Sequence, residues 1–197
     1  GPHGHAITSN RPPGDPAMAY LPSMPDASLM QLFQRHPELA VPLHDFAEAL
    51  MRGPSSLSPA ERELIAAYVS ALNHCDFCTR SHAAVMAAYD VDPALVEQLI
   101  ADPDGAPVDD RLRPLLGYVR RLNDAPHGIA QGDVDTVLAA GWDEAALMYA
   151  NVICGFFNLM NRWVDGTGVA ADPEAVAGAA RFLREQGYGG VGRLLAR

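Results

Sequence analysis

The sequence predicts an all-α protein. Apolar residues recur at helical spacing in one segment after another, and Ala, Leu, Glu and Arg, which are strong helix formers, fill those segments. No stretch alternates apolar and polar residues as a half-buried strand does. The chain has 197 residues, 49% hydrophobic and 19% charged, which is globular in composition and long enough to bury a core.

Residues 1–25 carry many Pro and Gly and no periodicity, so they are expected to form a flexible leader, with residues 26–197 as a single helical domain of about eight helices. Asp26 or Ser28 can cap a first helix over SLMQLFQR. Pro37 then restarts the helix as PELAVPLHDFAEALMR, with Leu39, Leu43, Phe46, Ala47 and Leu50 on one apolar face, and Gly53-Pro54 ends it. Ser58, Pro59 and Glu61 spell a capping box for a helix to about Asn73, buried along Leu64, Ile65, Tyr68, Val69 and Leu72. After a break at Asn73-His74 the next helix runs from about Asp76 to Tyr89, and Asp92-Pro93 opens a short one. Asp109 or Asp110 starts RLRPLLGYVRRLNDAP, and Gln131–Ala140 is a short helix stopped by Gly141. Asp143 caps the longest apolar helix, expected to be buried on most sides and to stop at Asp165-Gly166. Asp172-Pro173 opens the last helical region, interrupted by the glycines from Gly187 to Gly192.

A net charge of −10 argues against a nucleic-acid partner, because a phosphate backbone demands a cationic face, and against docking to an anionic membrane. No apolar run reaches the ~20 residues of a spanning helix, and no basic flank followed by an apolar run opens the sequence, so a cytoplasmic location is expected. Three cysteines, two of them in C-x-x-C, do not make a disulfide framework and point instead to redox, catalytic or metal chemistry.

That pair is Cys75-Asp76-Phe77-Cys78, with His82 four residues beyond the second thiol and Glu63 in the preceding helix. Cys78 and His82 share a helix face, and both thiols can meet at a helix N-terminus, whose partial positive charge favours thiolate. His82 can take or relay a thiol proton, and Glu63 can orient the imidazole. A thiolate to attack an O–O bond, a proton donor for the leaving alkoxide and a second thiol to resolve the sulfenic acid are what peroxide reduction requires. Helix-dipole physics leaves the order of the two thiols open, because it favours whichever lies in the first turn.

The line LSPAERELIAAYVSALNHCDFCTRSHAAVM resembles the signature of the AhpD-like alkyl hydroperoxidase branch of the carboxymuconolactone decarboxylase superfamily. GDVDTVLAAGWDEAALMYANVICGFFNLMNRWVDGTGV resembles the downstream helices of its peroxidase-related members. The resemblance, over about residues 30–170, implies an AhpD-like helical fold with a C-x-x-C helix hairpin and peroxidase activity without heme or metal. It also implies a homo-oligomer (trimer, hexamer or dimer) and a dihydrolipoyl-type or small-thiol reductant. By the same match Glu63, Cys75, Cys78 and His82 form the site, Cys78 attacking and Cys75 resolving. The best-studied members carry histidine directly before the second cysteine, and here that residue is Phe77. Two other function classes stand beside this one. One is a decarboxylase-type lyase, whose members generally do without the cysteine pair. The other is a non-enzymatic metal-binding or redox-sensing module, in which Cys154 could join Cys75, Cys78 and His82 on zinc. The simpler reading of Cys154 is a core thiol, and of Asn158 and Asn161 a structural hydrogen-bonding pair.

Overall fold

A computed structural model describes residues 19–197, and most of the expected leader lies outside them. Of its last residues, Ala19 is buried, its N–H bonds Pro25 O, and Tyr20 N–H bonds Thr167 O, so this stretch is laid against the body.

The described residues form nine α-helices and one 3-10 turn: α1 Leu29–Arg35, α2 Pro37–Arg52, α3 Pro59–Leu72, α4 Asp76–Ala88, α5 Leu95–Ala101, α6 Leu112–Asp124, the turn Pro126–Gly128, α7 Gln131–Ala139, α8 Glu144–Thr167 and α9 Pro173–Leu195. Caps set most of the starts. Ser28 with Gln31, and Ser58 with Glu61, form reciprocal capping boxes, while Asp143 and Asp172 each accept one first-turn N–H. α5 starts later than Asp92 suggested, because the Asp92 carboxylate bonds Ala94 N–H in a local turn. α6 likewise begins at Leu112, since Asp109 bonds Arg111 N–H. α8 runs past Asp165-Gly166 and stops at Gly168, which holds the left-handed conformation (φ 69°) that a helix C-terminus favours.

The centre of the molecule is α3. Every residue from Arg62 to Ala71 is buried, and α2, α4, α5, α6 and α8 pack around it. Arg62 has no carboxylate partner among the described residues; its guanidinium donates to the carbonyls of Leu50, Gly53 and Leu57, tying the α2–α3 loop to α3. Two expected faces are corrected. On α2 the buried row is Ala40, His44, Ala47, Leu50 and Met51, whereas Leu39 and Phe46 are exposed. Hydropathy misplaces this row because His44 is polar by type, yet its Nδ1 bonds Ala40 O and its ring meets Phe33 edge to face. On α8, Met148, Val152 and Leu159 face outward, so that helix is half covered rather than buried on most sides.

The last helix bends at Gly187, whose φ 69° and ψ −178° are open essentially to glycine alone. Residues of α2 hold both sides of the bend. Arg52 donates to Leu183 O and Arg184 O, the carbonyls ending the first segment, and Glu48 accepts from Gly189 N–H, which begins the second. Cation on carbonyls and anion on N–H match the two opposed helix ends.

Candidate active site

The site is built on the reversal between α3 and α4. α3 closes in a Schellman motif: His74 N–H bonds Ala71 O, Cys75 N–H bonds Ser70 O, and His74 takes a left-handed φ of 58°. Cys75 is therefore both the last residue of that motif and the N-cap of α4. Cys78 follows in the first turn, where unpaired N–H groups and the helix dipole favour an anion. His82 sits one turn further, and the antiparallel α3 brings Glu63 beneath it.

Glu63 and His82 are both buried, and the Glu63 carboxylate lies 2.8 Å from His82 Nδ1. With the Nδ1 proton directed at Glu63, a neutral imidazole presents Nε2 as a base. A residue not anticipated from the sequence completes the group. Tyr188, one position after the bend in α9, donates its hydroxyl to the other Glu63 oxygen at 2.9 Å and stands 3.4 Å from His82 Nδ1. Burial, reinforced by Glu63, raises the Tyr188 phenol well above its ordinary value, so it remains a donor. Phe157 fixes the other side of the imidazole, edge to face at 4.4 Å.

Both thiols are buried and unbridged. They differ in electrostatics and in access. The hydrogen bond between the thiols, with Cys75 as donor, is the largest influence: it lowers Cys78 below the usual thiol value although burial opposes it, and His82 and Asn161 lower it further. The same bond, and then burial, raises Cys75. Asp165, its own carboxyl raised by burial, faces the pair and opposes thiolate at both sulfurs. Cys78 lines a cavity of about 460 Å³, and Cys75 does not. The cavity walls include Phe33, Phe77, Phe156, Met160, Val176 and Phe182.

Cys154 lies elsewhere, buried, raised to about 11 by burial, and in weak contact with Asn123 and Asn158. Among the described residues, no three His, Cys, Asp or Glu side chains are arranged to hold a metal ion.

A family model described as the carboxymuconolactone decarboxylase family matches residues 37–104. A solved structure of an uncharacterized peroxidase-related protein from Silicibacter sp. TM1040 is 31% identical, with the match covering 68% of this chain and 70% of that one at a TM-score of 0.63. The chain belongs to the carboxymuconolactone decarboxylase family. Its fold is that of the AhpD-like members. A structure described as an alkylhydroperoxidase AhpD core, an uncharacterized peroxidase-related protein from Ralstonia eutropha JMP134, shares it at 24% identity and a TM-score of 0.69, over 76% of this chain and 78% of that one. Comparison with curated protein sequences gives no match. The family segment contains Glu63, Cys75, Cys78 and His82, whereas Tyr188 and Asn161 lie beyond it. No described helix is long and apolar enough to cross a membrane.

Proposed function

We propose that the protein is a thiol-dependent peroxidase that reduces organic hydroperoxides through Cys78 and Cys75. The observation that carries this reading is the junction of a lowered, cavity-facing thiol with a buried Tyr188–Glu63–His82 group. His82 Nε2 takes the Cys78 proton. The thiolate attacks the outer peroxide oxygen, so that an S–O bond forms, the O–O bond breaks and Cys78 becomes a sulfenic acid. The alkoxide leaves with the proton held by His82. The Cys75 sulfur then attacks Cys78, the S–S bond forms and water departs. A dithiol or small-thiol reductant returns two electrons and two protons. Phe77 lines the cavity, where it supports an organic substrate over hydrogen peroxide, and Tyr188 supplies a polar relay member from another helix.

The reading includes a homo-oligomer, supported by the exposed apolar row Met148, Val152 and Leu159 on α8. Sedimentation of the purified protein tests that part. The decisive assay is hydroperoxide consumption with dihydrolipoate or a monothiol as donor. Cys78→Ser abolishes turnover, and Cys75→Ser leaves a sulfenic acid that a dimedone-type reagent traps. Full activity in both single variants overturns the reading.

A further inference from the structure

The cavity at Cys78 is selective in what its wall can hold. Its volume of about 460 Å³ suits a small organic ligand. Five of the chain's six phenylalanines line it: Phe33, Phe77, Phe156, Phe157 and Phe182, from α1, α4, α8 and α9. The chain has no lysine, and no arginine among the described residues lines this wall. Most polar groups of the lining are committed to the protein itself. The Ser28 hydroxyl accepts from Gln31 N–H, His44 Nδ1 meets Ala40 O, and His82 Nδ1 and the Tyr188 hydroxyl both meet Glu63. The first turn of α9 borders the cavity and would ordinarily attract an anion. There the protein supplies the anion, since Asp172 accepts from Ala175 N–H at 2.8 Å. The start of α4 is occupied by the two thiols. A carboxylate brought into this cavity would therefore lose hydration without gaining a cation or an open helix end. The groups left to meet the polar end of a ligand, Cys78, Ser81 and His82, stand at i, i+3 and i+4 on one face of α4.

We propose that this cavity selects uncharged hydroperoxides with an aryl or comparably bulky apolar tail and rejects those that carry a carboxylate, so that free fatty-acid hydroperoxides are not substrates. The peroxide end lies against Cys78, Ser81 and His82. The tail lies among the phenyl rings, where edge and face contacts favour an aromatic group. That the ligand is a hydroperoxide rests on the peroxidase reading above, whereas the selection by charge rests on the cavity alone. Ala179 of α9 lines the wall and is itself exposed, so a longer side chain has room there and can alter the selection.

The test measures binding and consumes no peroxide. The probes are para-isopropylbenzyl alcohol and para-isopropylbenzoate, matched in size and differing in charge. Each is titrated into the reduced full chain at neutral pH, by calorimetry and by protection of Cys78 from iodoacetamide. The alcohol is expected to bind at least about tenfold more tightly than the benzoate. Ala179→Trp fills the wall and weakens binding of the alcohol, which locates the probe in the cavity. Ala179→Arg supplies the missing cation and narrows or reverses the preference. The proposal is overturned if the wild type binds the benzoate as tightly as the alcohol, if it binds neither, or if Ala179→Trp binds the alcohol as well as the wild type does. Selective binding without hydroperoxide turnover strikes the peroxidase reading alone. Turnover of free fatty-acid hydroperoxides as fast as that of uncharged ones strikes the selection alone.

Discussion

The Tyr188 hydroxyl and the Glu63 carboxylate, 125 positions apart in the chain, meet at 2.9 Å in the buried interior. The contact joins the first turns of α3 to the far end of α9 and fills the carboxylate oxygen that His82 leaves open. Tyr188→Phe removes this donor with little change of shape. Hydroperoxide turnover is expected to fall on the order of 10²-fold, the lower end of what a positioned proton-transfer group contributes, while the melting profile moves little. Steady-state rates across pH check it, and an unchanged profile would place Tyr188 outside the reaction.

The three thiols are predicted to separate by reactivity. Cys78, lowered by its bond from Cys75 and open to the cavity, alkylates first. Cys154, raised to about 11 by burial, and Cys75, raised by the same thiol–thiol bond, lag far behind at neutral pH. The Cys78 rate declines as pH falls through its own pKa, below the ordinary thiol value of about 8.5. Time-resolved peptide mapping after limited iodoacetamide reads the order directly, and faster labelling of Cys75 reverses the assignment of roles.

Two backbone positions give opposite stability changes. At Gly187 a side chain would enter a conformation costing about 1–3 kcal/mol and would strike the Glu48 carboxylate, so Gly187→Ala lowers the melting temperature and weakens turnover through Tyr188. At His74 the strain is already present, in an exposed histidine at φ 58°. His74→Gly relieves up to about 1 kcal/mol and raises stability without changing turnover. Denaturant titrations of both variants provide the check.

His44 makes the fold sensitive to acid. Burial lowers its pKa below the ordinary value of about 6.5, although its bond to Ala40 O and the nearby Asp45 favour the cation. The unfolded chain therefore binds a proton on His44 at higher pH than the folded one does. Stability on this account is unaffected well above about pH 6.5 and decreases as pH falls from there toward the folded pKa. His44→Gln, which keeps a donor for Ala40, should flatten that part of the profile. Equal slopes in the two proteins over that window would exclude His44 as the cause.

What the sequence made legible follows from how local each signal is. The α3–α4 hairpin and the Cys78–His82 spacing depend on caps and on one helical turn, and both are readable from neighbouring residues. Glu63 is readable as a candidate, though its burial depends on the packing of whole helices. Tyr188 is a different case. The glycines around it announce a break in α9, but only the docking of α9 on α2 and α4 decides that the residue after the break meets Glu63. Asn158 and Asn161 stand out as a pair on one helix, whereas Asn73 and Asn123 join them only through tertiary contact. His44 shows the converse error, in which residue type concealed a core position.

The clip that Glu48 and Arg52 place on the bend in α9 divides that helix into two segments that meet one cavity. Val176, Ala179 and Phe182, before Gly187, line the cavity, and so do Tyr188, Val191 and Leu194 beyond it, where Tyr188 also bonds Glu63. Changing side-chain volume at Val176, Ala179 or Phe182 is therefore expected to reshape the cavity from one side while the Tyr188–Glu63 bond stays in place.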